Sequence, residues 1–249
     1  MRGLSFVLGL GMFLLMLLCS IRAEERPAMT ANSRQMIVGL ARDWEDSSVT
    51  LQRWQKRQGF WEKVGKAVPG RLGSAGLAWG RGLHPEQPGR QKQEGDRRAP
   101  AGVFALGEVY AYAGQVTVGR GMRVNEVTSR DLWVEDVNSS LYNQHVRLSG
   151  RDPETDWEKQ QQMRQNDPAH RLKLFIKHNA GSDIVRGAGS SIFFHIWRDQ
   201  GSKASFGCTV MAEETLRELI AWVDPAMDPL YVLLPQGVYE EKRVAWGLP

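Results

Sequence analysis

The sequence predicts a mainly β domain, a β-rich α+β fold with few helices. Three observations carry this prediction. Short apolar or alternating runs recur along the chain and are separated by Gly, Pro, Asn and Asp, the rhythm of strands and turns. Only two segments, Asp156–Gln165 and Ala212–Val223, have helical spacing. No internal repeat or break in composition interrupts residues 34 to 235, so one domain over residues 34–249 is the economical organisation. The 249 residues suffice for a sizeable core, since a domain of roughly 200 residues buries about 70% of its unfolded surface.

Taken in order, residues 1–23 read as an export signal. Arg2 supplies the positive start, Leu4 to Leu18 is apolar apart from Ser5 and interspersed glycines, and Ile21-Arg22-Ala23 offers cleavage after Ala23. An uncleaved anchor is the alternative, because Leu4 to Ile21 spans 18 residues and about 20 cross a bilayer. Lipid attachment at Cys19 is disfavoured by the bulk of Leu18 before it. Each reading places the rest of the chain outside the cytoplasmic membrane, and contact with a membrane comes only through an uncleaved signal. Residues 24–33, polar and containing Pro27, read as a linker.

Strands follow at Met36–Ala41, then at Val49–Trp54 and Phe60–Val64, a hairpin turning over Lys56–Gly59. Arg71–Gly82, with four glycines, and His84–Arg98, with Pro85 and Pro88, read as loops. Further strands are expected at Gly102–Gly107, Leu132–Val137, Leu172–His178, Ser191–Trp197 and Leu230–Leu234. Asp156–Gln165 is a polar helix covered by Trp157 and Met163. In Ala212–Val223, Leu216, Leu219, Ile220 and Val223 recur at helical spacing, and Asp224-Pro225 stops the helix.

Composition excludes several functions. Lys and Arg number 32 against 28 Asp and Glu, with both signs spread along the chain. A nucleic-acid binder concentrates its basic residues, so no nucleic-acid partner is expected. Two cysteines make no disulfide scaffold. Loss of the signal removes Cys19 and leaves Cys208 as a lone thiol in an oxidising compartment, where it is a reactive group, a cross-link or a small buried hydrophobe.

Ser191–Trp197 is apolar on both faces, the mark of a central strand, and His195 is its one titratable residue. Ser205-Phe206-Gly207-Cys208-Thr209 follows shortly, ahead of the Ala212 helix. A thiol becomes a nucleophile when a base takes its proton or its surroundings stabilise the thiolate. His195 offers the base, and Gly207 lets backbone N–H groups approach a substrate carbonyl. The bland alternative is a satisfied core histidine. Cys208, His195 and His178 lack the paired spacing of structural zinc, so no metal is expected. The order histidine before cysteine is the reverse of papain-like proteases.

Glu94-Gly95-Asp96, Pro100-Ala101-Gly102-Val103-Phe104, His195 and Ser205-Phe206-Gly207-Cys208 together resemble the L,D-transpeptidase catalytic (YkuD-like) domain. Lys92 to Asp96, Tyr142 to Gln144 and His178-Asn179 bring the likeness closer to a proteobacterial branch. The likeness runs from about Gln35 to Pro235. Phe206 stands where histidine is common in the family, and Val210 where arginine or asparagine is usual. The resemblance implies a single β-sandwich or barrel domain in the periplasm and acyl transfer on peptidoglycan stem peptides through a thioester on Cys208. It implies His195 as the general base and the backbone N–H groups of Gly207 and Cys208 as the oxyanion site. The Ile196 carbonyl would orient the imidazole, and Ser205, Phe206, His178 and Asn179 would contact substrate. It implies no cofactor. An amine acceptor gives a cross-link or attaches a wall-linked protein. Alternatives are an L,D-carboxypeptidase or amidase that trims stems or releases wall-linked protein, and a non-catalytic peptidoglycan-binding protein.

Overall fold

A computed structural model describes residues 29–114 and 116–249; the expected signal and the first half of the linker lie outside the described residues. The last linker residues are built into the domain: Thr30 Oγ1 donates to the carbonyls of Trp246 at 2.7 Å and Gly247 at 2.9 Å.

The chain forms β1 (Gln35–Ala41), β2 (Ser48–Arg57), β3 (Phe60–Arg71), β4 (Leu77–Trp79) and a long β5 (Ala99–Ala111). Next come β6 (Val124–Glu126), β7 (Asp131–Trp133), β8 (His145–Arg147), the short helix α1 (Asp156–Gln160), β9 (Leu172–Ile176) and β10 (Phe193–Ile196). It closes with β11 (Thr209–Met211), α2 (Glu213–Trp222), β12 (Leu230–Pro235) and α3 (Gln236–Trp246). Hydrogen bonding runs in the order β12-β1-β2-β3-β11-β10-β9-β5, and β5 pairs back to β12. The eight strands of this ring are therefore closed on themselves as a barrel, which gives each of them a neighbour on both sides, while β4 and β6 pair only with β5. Strand β5 makes closure possible by its length: Gly102–Ala105 bond to β12, and Leu106–Ala111 bond to β9. The β7–β8 pair forms a small separate sheet.

Several elements differ from the sequence expectation for local reasons. The first hairpin turns over only Gln58-Gly59, both at positive φ (49° and 88°), so its strands are longer than expected. Helix α1 has a complete capping box between Thr155 and Glu158 but stops at Gln160. Beyond it the chain is captured by β7: Trp133 N–H donates to Gln161 O, and Met163 N–H to Asp131 O. Sheet pairing overrides the remaining helical pattern. The strand expected at Leu132–Val137 is observed as Asp131–Trp133; past it, Glu135 N–H is taken by the side-chain carbonyl of Gln161 instead of a strand partner.

Helix α3 was not anticipated. Its apolar residues are few and Val244 is exposed, but Trp246 is buried and Gly247, at φ 65°, caps the end. Helix α2 forms as its spacing predicts, with Leu216, Leu219 and Ile220 buried.

Candidate active site

All four residues of β10 are buried between β9 and β11. Phe194 packs on Tyr231, with ring centres 4.5 Å apart, and alternation puts Phe193 and His195 on the opposite face. Parallel pairing sets Phe194 beside Thr209 and His195 beside Val210. Cys208, one residue before β11, therefore falls next to Phe193 and on the same face as His195. The thiol and the imidazole are brought together by the register of two adjacent strands.

Cys208 is half-buried. Its Sγ accepts from the Phe193 N–H at 3.4 Å and donates to the Ser191 carbonyl at 3.3 Å. Burial pushes the thiol up to about 11, against the pull of the Phe193 N–H. The His195 Nδ1–H donates to the Ile196 carbonyl at 2.8 Å, the orienting contact expected from the sequence. That bond leaves Nε2 with the lone pair a base needs. Burial holds the imidazole down to about 4, with the Lys173 and Arg198 cations adding to the effect, so it is neutral at pH 7. His170 stacks on it with ring centres 4.7 Å apart. Among the described residues no hydrogen bond joins Sγ to His195; the thiol must turn away from Ser191 to reach the imidazole.

Both residues line a cavity of about 440 Å³, whose walls include Glu94, Arg97, Glu135, Ser191 and Phe206. Those walls come from distant segments. Glu94 accepts from the hydroxyls of Tyr142 and, at 2.7 Å, Ser190. Lys92 is buried and pairs with Asp96 at 2.6 Å, while Asp96 also accepts the N–H groups of Gln93 and Arg98. Asn143 uses its whole amide: Oδ1 accepts from Trp133 Nε1 and Ser191 N–H, and Nδ2 donates to the carbonyls of His178 and Asn179. Asn143 thereby holds Ser191, at φ 57°, against the thiol.

Three of the expected site residues are placed otherwise. The Gly207 N–H donates to Ser205 Oγ at 3.1 Å, so it is committed within the loop rather than free for an oxyanion. Among the described residues nothing accepts from the Cys208 N–H, which remains available. Gly207 is needed for another reason: its φ is 152°, and a Cβ there would lie 3.1 Å from the Arg98 carbonyl. Ser205 lines the cavity but its hydroxyl also donates to the Cys208 carbonyl at 2.5 Å, closing the turn around the thiol.

His178 and Asn179 do not line the cavity. The His178 Nδ1 accepts from the Arg81 N–H at 3.1 Å and its Nε2–H donates to the Ala188 carbonyl at 2.9 Å. Asn179 bonds Val185 and Gly189. Both therefore hold the 180–190 loop. Phe206 is exposed at the rim, with the Arg97 guanidinium 5.6 Å from its ring centre.

Sequence reasoning missed Glu135, His170, Arg198 and Lys173. Only Lys173 had a legible signal, a lone charge inside an otherwise apolar strand. Among the described residues, no three His, Cys, Asp or Glu side chains gather as a metal site.

The buried histidines make a testable acid response. His178 is held down to about 3 and His195 to about 4, chiefly by burial, against an ordinary 6.5. The unfolded chain binds the extra protons, so this stability is complete above pH 6.5 and is lost as pH falls toward those values. Each histidine contributes a slope of up to about 1.4 kcal/mol per pH unit. Glu135, raised by removal from water and by Glu94, titrates with the opposite sign and trims the slope. Urea unfolding between pH 6.5 and about 4.5, above the ordinary carboxylate range, should show stability falling with acid. A flat profile would contradict the neutral buried imidazoles.

Compared with known proteins, residues 55–232 match the family described as the L,D-transpeptidase catalytic domain (YkuD). No curated protein matches the chain. Among solved structures it is similar to the helical cell shape determining protein Pgp2 from Campylobacter jejuni, at 13% identity and a TM-score of 0.40, over 82% of this chain and 48% of that one. It is also similar to Bd1075 from Bdellovibrio bacteriovorus, at 12% identity and a TM-score of 0.40, over 86% of this chain and 55% of that one. The chain thus spans about half the length of these two structures.

Proposed function

The chain belongs to the L,D-transpeptidase catalytic domain family, and on that premise we propose that it performs cysteine-dependent acyl transfer on peptidoglycan stem peptides. The observation that carries this reading is a half-buried thiol on a cavity wall, on the same face of adjacent strands as a neutral imidazole with fixed tautomer.

The Cys208 Sγ–H turns from the Ser191 carbonyl to His195 Nε2, which takes its proton. Sulfur attacks the carbonyl carbon of the amide between meso-diaminopimelate and the terminal D-alanine. The Cys208 N–H meets the developing oxyanion. His195 returns its proton to the leaving D-alanine amine, the C–N bond breaks, and a thioester remains on Cys208. An amine acceptor then attacks the thioester and loses a proton to His195; the C–S bond breaks, the proton returns to the Cys208 sulfur, and a cross-link or an attached protein results. Water instead gives a trimmed stem.

Stem peptides carry carboxylates, and the cavity offers one unoccupied cation for them among its described residues. Lys92 is paired with Asp96 and Arg198 with Asp167, whereas Arg97 forms no salt bridge. The apolar start of the chain supports action in the periplasm.

Incubating the protein with a disaccharide-tetrapeptide and reading products by mass spectrometry tests the proposal. Dimers lacking one D-alanine mean transpeptidation, and tripeptides mean carboxypeptidation. Unchanged tetrapeptide would count against both.

A further inference from the structure

The mechanism above leaves one buried charge on the catalytic face unused. Strand β9 reads Leu-Lys-Leu-Phe-Ile and is buried throughout. Its antiparallel pairing with β10 sets Lys173 directly beside His195, so the side chain shares the face of Phe193, His195 and Cys208. Lys173 is 4% exposed. Its Nζ lies 5.4 Å from the centre of the Phe193 ring, whose own N–H contacts Cys208 Sγ, and it donates to the Met163 carbonyl at 3.2 Å. No carboxylate of the described residues reaches salt-bridge distance from it.

An ammonium withdrawn from water against an aromatic face and one carbonyl is costly unless a counter-charge is supplied. The titratable groups around it come from separate elements: Tyr110 beside it on β5, His170 ahead of β9, His195 on β10, Cys208 ahead of β11, and Glu135 after β7. Of these, Cys208 and Glu135 are the two whose charge favours the ammonium. Glu135 lines the cavity with Cys208 and bonds the Ser191 side chain, so it favours the ammonium but opposes a thiolate. The thiol is the partner on the same face of the sheet as Lys173.

We propose that Lys173 is a positioning residue whose ammonium charge holds the Cys208 sulfur as a thiolate once its proton has left, resting on the reading of Cys208 as the nucleophile. Burial draws Lys173 down to about 8 and pushes Cys208 up to about 11; the field of each pulls the other back toward its charged form, while Glu135 pushes the thiol the opposite way and Lys92 adds a weaker pull in the same direction as Lys173. Burial chiefly keeps His195 unprotonated before each turnover, and the same cation adds to that effect. Nothing in this arrangement requires Lys173 to touch substrate.

The test is iodoacetamide alkylation of Cys208 in the full chain carrying Cys19→Ser, followed across pH from about 6 to about 10. Lys173→Met keeps the aliphatic stem and removes the charge. Its alkylation near neutrality should fall on the order of tenfold, with the rise in rate displaced to higher pH. Lys173→Arg, which restores the charge, should recover the wild-type profile below about pH 8 and keep its charge above that, where the lysine itself gives up its proton. Thermal unfolding reports whether each variant is folded; if Lys173→Met is not, Lys173→Gln, which can still donate to Met163, carries the same comparison. An unchanged profile in a folded variant lacking the charge overturns the proposal, because a merely structural lysine would alter melting and leave thiol reactivity alone. Stem-peptide turnover is measured in parallel. A Lys173-dependent profile without wild-type turnover sinks the functional reading and leaves this one standing, while turnover with a Lys173-independent profile does the reverse.

Discussion

Cys208→Ala is expected to reduce turnover of a disaccharide-tetrapeptide by at least about a thousandfold, because no other group can form the thioester. The fold should survive. The thiol makes two long hydrogen bonds, at 3.3 and 3.4 Å, and is only half-buried, so its removal leaves little void. The stability cost should be about 1 kcal/mol or less. The carbonyl of Ser191 loses a weak donor, but its own N–H stays held by Asn143. Circular dichroism and product analysis on the same sample check both halves of the expectation. Turnover near the wild-type rate by a folded Cys208→Ala protein would remove the nucleophile assignment.

His195→Gln should have the second largest effect, a loss on the order of a hundredfold to ten-thousandfold near neutrality. The size follows from the resting thiol. Held up to about 11 by burial, it is almost wholly protonated at pH 7 without a base beside it. Activity should recover partly as pH rises, since hydroxide then removes the proton that His195 otherwise takes. Glutamine can keep a donor toward the Ile196 carbonyl, so the strand end stays satisfied. The variant should also lose one of the buried imidazoles that destabilise the protein in acid, and its urea midpoint should fall less steeply below pH 6.5 than that of the wild type. Equal alkylation profiles for Cys208 in wild type and variant would refute the pair, whatever the family membership suggests.

The residues at the centre of the site were readable because their signals are local. Strand alternation alone placed Phe193 and His195 on one face of a buried strand, and the short separation of His195 from Ser205-Phe206-Gly207-Cys208 singled out the pair. The barrel itself was only partly readable. Its strands were visible as apolar runs, but closure depends on β5 reaching β12 with one half and β9 with the other. Periodicity within a segment carries no information about which distant strand it meets.

Function-bearing detail divides along the same line. The sequence by itself determined the mainly β class, the histidine on a strand apolar on both faces, its short separation from Cys208, and the even spread of basic and acidic residues along the chain. The tertiary structure decided which donors are free and which are committed. Gly207 looked like an oxyanion donor until Ser205 was found taking its N–H, and His178 looked like a pocket residue until Arg81 and Ala188 were found using both ring nitrogens. It also decided that Asn143, 48 residues away in sequence, holds Ser191 beside the thiol, and that Lys173 shares its face. The physical reason is that hydrogen bonds and fields act over a few ångströms of space, whereas the spacing rules of a sequence act only along the chain.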